Sequence, residues 1–254
     1  MIRRIKPISP EAEVGLDQHL EELRARIVTS LAVFGVALAL CFWQNKLLLE
    51  VANAALPAGH ERLLTLGVTE PFTTTLTVSA YGAFVLALPI VLYQAYAFFL
   101  PAFSRRQQRA VLPLLLLVPV LFVGGVAFGY FVVLPAATSF LLNFNDDQFN
   151  VQLQAKDYYG FFAQTLLACG VVFQVPVGIL AVTRLGIVSV RQLQRNRRYA
   201  YLACAVIAAA LPGVDPVSML LETVPLIALY ELSIVLARAF GAPGERTRPA
   251  VESG

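Results

Sequence analysis

Residues 110–145 form an uncharged stretch that reads AVLPLLLLVPVLFVGGVAFGYFVVLPAATSFLLNFN. A helix needs about 20 apolar residues to cross a lipid bilayer, and this stretch is long enough for one crossing with residues to spare. We predict a membrane-spanning helix at 111–134 that is bent by Pro113, Pro119 and Pro135. The stretch therefore indicates a membrane protein rather than a soluble fold.

The whole chain has the same apolar character. Of its 254 residues, 58% are hydrophobic and 14% are charged, and the mean hydropathy is +0.71. An average soluble domain is about 45–50% apolar and about 25% charged, and disordered chains are less hydrophobic still. The net charge of +3 is too small to imply nucleic-acid binding, and the three cysteines lie too far apart for a zinc site or a disulfide framework.

Further apolar runs predict an all-α polytopic membrane protein with six transmembrane helices. The predicted spans are 27–44, 78–100, 111–134, 158–182, 199–211 and 217–237. A Pro-Gly turn between the last two predicts a hairpin of short fifth and sixth helices, of which the fifth is well short of the usual about 20 residues. No internal repeat is evident, and a structured cap is predicted in the loop at 45–77.

The basic residues predict the orientation of these spans. With six spans, 16 of the 19 Lys and Arg residues fall on the side of the termini and 3 on the other side. The positive-inside rule places both termini in the cytoplasm. We therefore predict a cytoplasmic amphipathic leader at 1–26, a transmembrane domain at 27–237 and a cytoplasmic, disordered tail at 238–254.

The sequence lacks the motifs of several enzyme classes. It has no phosphate-binding Gly-Lys pair, no His-Glu-x-x-His metal motif and no Gly-x-Ser-x-Gly motif, and both histidines lie outside the predicted spans. We expect no enzyme activity, no cofactor and no metal. The remaining functional classes are a transporter, a channel and a binding scaffold.

The leader contains a helical pattern with charge on one face. Leu16, Leu20, Leu23 and Ile27 recur at helical spacing, and Glu22 lies four residues before Arg26, with His19 on the same face. One interpretation is a solvated surface with an i,i+4 ion pair that contributes about 0.2–0.5 kcal/mol. The other is a carboxylate that receives a cationic peptide, because carboxylates can bind guanidinium groups bidentately.

Polar residues also fall inside the predicted spans. Gln174 lies in the fourth span, where an amide needs a partner on a neighbouring helix. Glu222 and Glu231 lie in the sixth, where a central carboxylate costs about 2.5–3.5 kcal/mol. We expect Glu222 to stay close to the outward turn and Glu231 to reach the cytoplasm or to pair with Arg238.

Short motifs along the chain occur in one order, and they are His19-Leu20-x-Glu22-Leu23-Arg24-x-Arg26, Thr69-Glu70-Pro71-Phe72, Leu88-Pro89, Tyr93-Gln94, Ala97-Phe98 with Pro101, Phe128-x-Tyr130-Phe131 with Pro135, Phe173-x-Val175-Pro176, Arg197-Arg198-Tyr199, Pro212-Gly213-x-Asp215-Pro216 with Ser218, and Pro225 with Leu229-Tyr230-Glu231. Over about residues 17–236 they resemble the TatC family, the polytopic subunit of the twin-arginine protein translocase. Each motif is modest, whereas the series in order and at matching spacing is specific.

The resemblance implies a protein of the cytoplasmic (inner) membrane that binds the twin-arginine signal peptides of folded precursors. It implies single-span partners of the TatA/TatB type, self-association in a larger complex and transport driven by the proton motive force. The residues that match the signal-peptide surface of the family are His19, Leu20, Glu22, Arg24, Phe98 and Pro101. The residues that match intramembrane polar or partner contacts are Tyr130, Gln174, Asp215, Met219 and Glu231.

Three positions depart from the family pattern. Gln107 replaces a second signal-binding glutamate, Gln174 replaces a glutamate of the fourth span, and Met219 replaces a glutamine. Glu21 is a candidate for the missing leader charge, although adjacent helical residues point about 100° apart. Gln174 keeps a polar group but removes titration, which argues against an obligatory proton step at that site.

A small-solute secondary transporter or channel is the competing prediction. Such proteins place charged groups at broken helices near the bilayer midplane, often in repeated halves. This chain shows no such repeat, and its acidic residues cluster at the ends of the spans. A structural membrane scaffold is a third alternative.

Overall fold

The computed structural model describes residues 16–57, 63–99, 105–144, 148, 152–184, 186–212 and 215–240. The described residues are almost entirely helical and contain no β-strand, only one isolated bridge between Leu64 and Gln154. The predicted all-α membrane fold is confirmed. Most of the leader, Pro101 and the tail from residue 241 lie outside the described residues.

The helices follow one another along the chain as α1 (Leu16–Trp43), α2 (Asn45–Asn53), α3 (Glu70–Phe99), α4 (Arg105–Phe128), α5 (Leu134–Asn143), α6 (Ala155–Val172), α7 (Val175–Arg184), α8 (Val190–Arg195), α9 (Arg197–Ala210) and α10 (Pro216–Phe240). A π-helical turn, Gly129–Val133, joins α4 to α5. A tight turn at residues 173 and 174 joins α6 to α7.

Five helical segments of the described chain are long and apolar enough to cross a membrane. They are Leu20–Trp43, Glu70–Ala95, Leu117–Asn143, Ala155–Arg184 and Pro216–Ala239. Helix α9 has 14 residues, about 21 Å at 1.5 Å per residue, against a hydrocarbon core of about 30 Å. A short fifth helix agrees with the sequence, and the count of six spans stays a prediction.

Helix α1 continues from the leader into the first span without a break. Residues 16–43 contain no proline, so nothing interrupts the ladder of backbone hydrogen bonds. The predicted boundary at residue 26 therefore falls inside one helix. Helix α3 likewise begins at Glu70, eight residues before the predicted span, because its first turns extend beyond the most apolar segment.

Pro135 shapes the third span differently from the expectation. The backbone N–H of Leu134 donates to the carbonyl of Gly129, five residues earlier, in a π turn that places Pro135 at the start of α5. The wider turn relieves the clash of a proline ring with the carbonyl four residues before it. The helical rod therefore continues to Asn143, beyond the predicted end at 134.

Pro176 interrupts the fourth span. A proline supplies no N–H for the carbonyl four residues earlier, and the chain turns at Phe173 and Gln174 between α6 and α7. This interruption orients the Gln174 side chain toward α4, where its amide donates to the carbonyl of Val118 over 3.2 Å. Pro176, which lies within the predicted fourth span, thus positions the polar residue Gln174.

The cap, which consists of α2 with residues 63–69 and 152–154, closes one end of the bundle. Leu64 exchanges backbone hydrogen bonds with Leu153 and Ala155 at 2.9 and 2.8 Å. Beneath the cap lies a buried core cluster formed by Ala52, Val78, Leu134, Ala155, Tyr158, Tyr159, Phe162 and Ala163. The sequence predicted a structured cap in the loop at 45–77, and the structure agrees with that prediction.

Helices α9 and α10 pack against each other through a second core cluster. Cys204 and Ala208 of α9 contact Leu226, Tyr230 and Ile234 of α10. The predicted hairpin of the last two helices is therefore present in the structure, but the sixth helix is not short as predicted, because α10 has 25 residues.

Candidate functional site

The α1–α3 junction, formed by Glu22, Arg26 and Gln94, lies at the end of the bundle opposite the cap. The guanidinium of Arg26 donates to Oε1 of Glu22 from Nε at 3.0 Å and from Nη2 at 2.6 Å. Its third nitrogen, Nη1, donates to Oε1 of Gln94 at 2.8 Å and to the Gln94 carbonyl at 3.4 Å. Arg26 therefore ties the leader carboxylate to α3.

An apolar groove of about 560 Å³ runs between α1 and α3 from this junction. Its floor and walls come from both helices and are almost entirely hydrocarbon, including Leu23, Ile27, Leu31, Phe34, Phe84, Leu88, Val91 and Phe98. Arg26 and Gln94 line its end next to Leu23 and Phe98. The charged junction and the apolar groove thus form one continuous surface, which we call the α1–α3 groove.

The structure places the leader residues unequally around this groove. Glu22 is half-buried, with its side chain 35% exposed, and is engaged by Arg26. Leu20, Glu21 and Arg24 are exposed and do not line the groove. Of His19 and Gln107 the structure describes only the helical backbone, and Pro101 lies outside the described residues.

Sequence reasoning missed the roles of Arg26 and Gln94. Both belong to the quoted motifs, but spacing alone cannot reveal that residues 68 positions apart share a hydrogen bond. The detectable signal was the i,i+4 position of Arg26 relative to Glu22. The i,i+4 ion pair is present in the structure, and it is also anchored to α3.

Tyr130, Asp215 and Met219 occupy structural positions in the bundle. The hydroxyl of Tyr130 donates to the Val51 carbonyl of the cap at 3.0 Å. Asp215 precedes α10 and accepts the backbone N–H of Ser218 at 2.8 Å, as an N-capping residue does. Met219 packs against the α9–α10 cluster.

Glu231 binds a different partner from the one expected. Its two oxygens accept hydrogen bonds from Arg197 at 2.7 Å and from the Tyr201 hydroxyl at 2.6 Å. Of the two expected alternatives, the pairing with Arg238 is wrong, because α9 packs along α10 and presents its first turn to Glu231. That Glu231 reaches the cytoplasmic side stays a prediction. This contact ties the two helices together at the end away from the cap.

The expectation for Glu222 is also wrong. Its side chain is only 2% exposed, and neither of its carboxylate oxygens has a hydrogen-bond partner among the described residues. Gln174 is similarly buried at 7%, and its carbonyl oxygen Oε1 is unpartnered while its amide binds Val118. Glu222 and Gln174 are therefore among the buried polar residues of the described bundle that have an unpartnered oxygen.

Comparison with known proteins identifies the family. A sequence profile described as "TatC: Sec-independent protein translocase protein (TatC)" matches residues 18–225. The chain belongs to the TatC family. The match begins in the leader helix and ends within α10, so it includes both the α1–α3 junction and the polar residues of the bundle.

Individual TatC relatives agree with this assignment along nearly the whole chain. The Sec-independent protein translocase protein TatC of Desulforapulum autotrophicum is 36% identical over 234 residues, which are 91% of this chain and 87% of that protein. The chloroplastic TATC protein of Arabidopsis thaliana is 35% identical over 89% of this chain and 67% of its own length.

A solved structure of the family shares the fold. The crystal structure of the twin arginine translocase receptor TatC is similar with a TM-score of 0.73 and 32% identity. The similarity covers 87% of this chain and 98% of that TatC chain. Homologues of this chain are thus subunits of the Sec-independent translocase, a transport role rather than a catalytic one.

Proposed function

We propose that this chain receives twin-arginine signal peptides in the α1–α3 groove and nucleates the translocation complex there. The observation that supports this proposal is the Glu22 carboxylate, held by Arg26 and Gln94 at the end of an apolar groove. A signal peptide offers a pair of guanidinium groups followed by an apolar segment. The junction and the groove offer the complementary chemistry in the same order.

In this proposal Glu22 binds one arginine of the peptide. Both hydrogen bonds from Arg26 end on Oε1 of Glu22, so we assign Oε2 to the incoming guanidinium. A hydrogen bond to a charged group contributes about 1.5–3 kcal/mol. The planar guanidinium discriminates arginine from lysine, because lysine is a point charge without the fork geometry. Arg26 acts as a positioning residue.

The apolar groove then binds the hydrophobic part of the peptide. Leu23, Ile27 and Leu31 expose about half of their surface along α1, and Phe84, Leu88 and Phe98 face them from α3. An apolar surface of this kind is covered by a ligand of matching chemistry more favourably than by water. The hydrophobic segment of a signal peptide meets that requirement.

The proposal also covers the membrane in which the chain lies, its orientation there and its partner proteins. It lies in the cytoplasmic (inner) membrane with both termini in the cytoplasm, which the 16-to-3 distribution of basic residues supports. Helix α9 exposes an apolar stripe of Tyr199, Leu202 and Val206 at helical spacing. A single-span partner of the TatA/TatB type or a second copy binds there, and the proton motive force drives transport.

Photo-crosslinking tests the binding site. A crosslinking residue at Leu23, inside the groove, is expected to capture a twin-arginine signal peptide and not its twin-lysine counterpart. Glu22→Arg is expected to abolish capture, whereas the matched variant Glu21→Arg on the neighbouring exposed position retains it. Wild-type capture and export in Glu22→Arg would refute the assignment of Glu22.

Export of a folded reporter tests the function as a whole. In a strain that lacks its own TatC subunit, this chain is expected to restore export of a reporter with a twin-arginine signal, together with its single-span partners. The same reporter with a twin-lysine signal is the control. A small-solute transporter or a mere scaffold restores neither, and that result contradicts the proposal.

A further inference from the structure

One face of α10 contains a column of buried oxygen atoms without partners. Asp215, Ser218 and Glu222 recur at intervals of three and four residues, so they lie on the same face of the helix. Their exposures are 3%, 0% and 2%. Four of their side-chain oxygens have no hydrogen-bond partner among the described residues: Asp215 Oδ2, Ser218 Oγ, and both carboxylate oxygens of Glu222.

The column runs from the cap end of the bundle into its interior. Pro212, just before α10, lines a polar cavity of about 880 Å³ together with Glu70 and Gln154 of the cap region. Seven residues of α-helix rise about 10.5 Å, so Glu222 lies about that far below Asp215. The cap end is the end that the charge distribution predicts to face outward.

Within the part of the chain that the structure describes, no cationic side chain is hydrogen-bonded or ion-paired to Glu222. The titratable groups that interact electrostatically with it are Asp215 on its own helix and the Cys169 thiol on α6. Among the described helices that pack on α10, Arg197 of α9 binds Glu231, and Arg184 lies at the far end of α7. Tyr130 of the π turn donates its hydroxyl to the cap.

An ionised carboxylate in such a place is costly. Burying a charge without a partner costs far more than burying a neutral polar group. A carboxylic acid removes the charge and gains an O–H donor. The geometry therefore favours a bound proton on Glu222 while the bundle stays packed.

We propose that Glu222 binds and releases one proton within the bundle, and that Ser218 and Asp215 connect it to the outward-facing side. A hydronium ion at that side gives its proton to Asp215 and leaves water. The Ser218 hydroxyl can both donate and accept, but it has no hydrogen bond to either carboxylate among the described residues. It passes the proton on to an oxygen of Glu222 once a bridging water molecule or a change of rotamer closes the gap. Release to water follows when α10 separates from α7, one of the helices on which it packs, and the carboxylate is then hydrated.

This inference rests on the proposed translocase function, because the proton motive force supplies the proton. It also places a titratable group on α10, whereas the buried polar residue between α6 and α7, Gln174, does not titrate. Gln174 and Cys169 both belong to the segment that consists of α6, the turn and α7. Glu222 lies on α10 and faces this same segment.

Infrared spectroscopy of the full-length chain in lipid nanodiscs tests the bound proton. We expect the wild type to show a carboxylic-acid carbonyl band that disappears in strongly alkaline buffer. Glu222→Gln, which has the same shape without an acid, is expected to lose this band, while Glu50→Gln at an exposed position of α2 retains it. Glu222→Asp keeps an acid at the site and is expected to retain the band.

A wild-type band that persists in Glu222→Gln, or a missing band in the wild type, overturns the proposal. Loss of the band when sodium replaces potassium at constant pH also overturns it, because that result indicates a cation site. For transport, Glu222→Gln is expected to lose export and Ser218→Ala to slow it. Wild-type export in either variant contradicts the proton route.

Peptide capture separates this inference from the proposed function. Glu222 lies inside the bundle, away from the α1–α3 groove, so Glu222→Gln is expected to capture signal peptide at the wild-type level. Normal capture with lost export supports the proton site. Failure of the proposed function is recognised instead by lost specificity for paired arginines in the wild-type chain, which leaves the infrared result standing on its own.

Discussion

The cap and the α1–α3 junction hold the same bundle at its two ends, but by different contacts. At the cap, the hydroxyl of Tyr158 donates to the Ala52 carbonyl at 2.6 Å and that of Tyr159 to Asn53 at 2.9 Å, over a buried aromatic core. At the junction, the Glu22 and Arg26 side chains are 35% and 25% exposed and border an open groove.

Under the proposed function, the cap is the frame and the junction is the binding surface. Buried, satisfied hydrogen bonds and close packing give the cap a single arrangement. The junction keeps its charged side chains partly exposed beside an open groove, as the proposal requires. The predictions below test this division, from the largest expected effect to the smallest.

Phe162→Ala is expected to cause the largest loss of stability. Phe162 is buried in the cap core and its ring packs 6.2 Å from that of Tyr130, so the cavity left by alanine costs about 3–5 kcal/mol. Phe34→Ala in the groove wall is the matched control, with a much smaller loss. Thermal unfolding in detergent measures both, and equal losses contradict the division between frame and surface.

Tyr158→Phe is expected to cost about 0.5–1.5 kcal/mol, because the Ala52 carbonyl loses the Tyr158 hydroxyl and keeps only the backbone N–H of Ala55 at 3.2 Å. Tyr81→Phe is the control: its hydroxyl takes part only in a long contact of 3.4 Å with exposed Gln164. The same unfolding assay compares the two variants. A cap that tolerates Tyr158→Phe as well as Tyr81→Phe is held by packing alone.

Gln94→Leu is expected to weaken signal-peptide capture by a few-fold with little change in stability. The variant removes the shorter of the two hydrogen bonds from Arg26 to Gln94 and leaves the one to the backbone carbonyl at 3.4 Å, so Arg26 stays near Glu22 and the effect on capture is small. Tyr93→Phe, at the exposed neighbouring position, is the control. Titration of peptide against crosslinking yield provides the measurement, and unchanged capture means that Glu22 needs no positioning from α3.

Much of the architecture was predictable because hydropathy and proline act locally. The uncharged stretches located the membrane helices, and the spacing of Leu211–Pro216 located the hairpin and its short first helix. Helix ends were less predictable. The extension to Asn143 depends on a π turn that accommodates Pro135, and the start of α3 depends on the Glu70 carboxylate, which binds the backbone N–H groups of Leu66 and Gly67.

The candidate site was predictable in its residue types and not in its contacts. Family resemblance pointed to Glu22 and Phe98, and the structure brings their surroundings together in one groove. The partner of Arg26 on α3 could not be inferred, because the two residues are 68 positions apart. The partner of Glu231 and the burial of Glu222 were inferred wrongly for the same reason.

The sequence by itself determined that this is a helical membrane protein of the TatC family, since composition, apolar run length and ordered motifs are properties of the chain alone. The tertiary structure decided which carboxylates differ in role. Glu22 is paired at a groove, Glu231 is held by α9, and Glu222 is buried without a partner. The reason is physical: a carboxylate's free energy depends on its burial and its partners, and those come from helices distant in sequence.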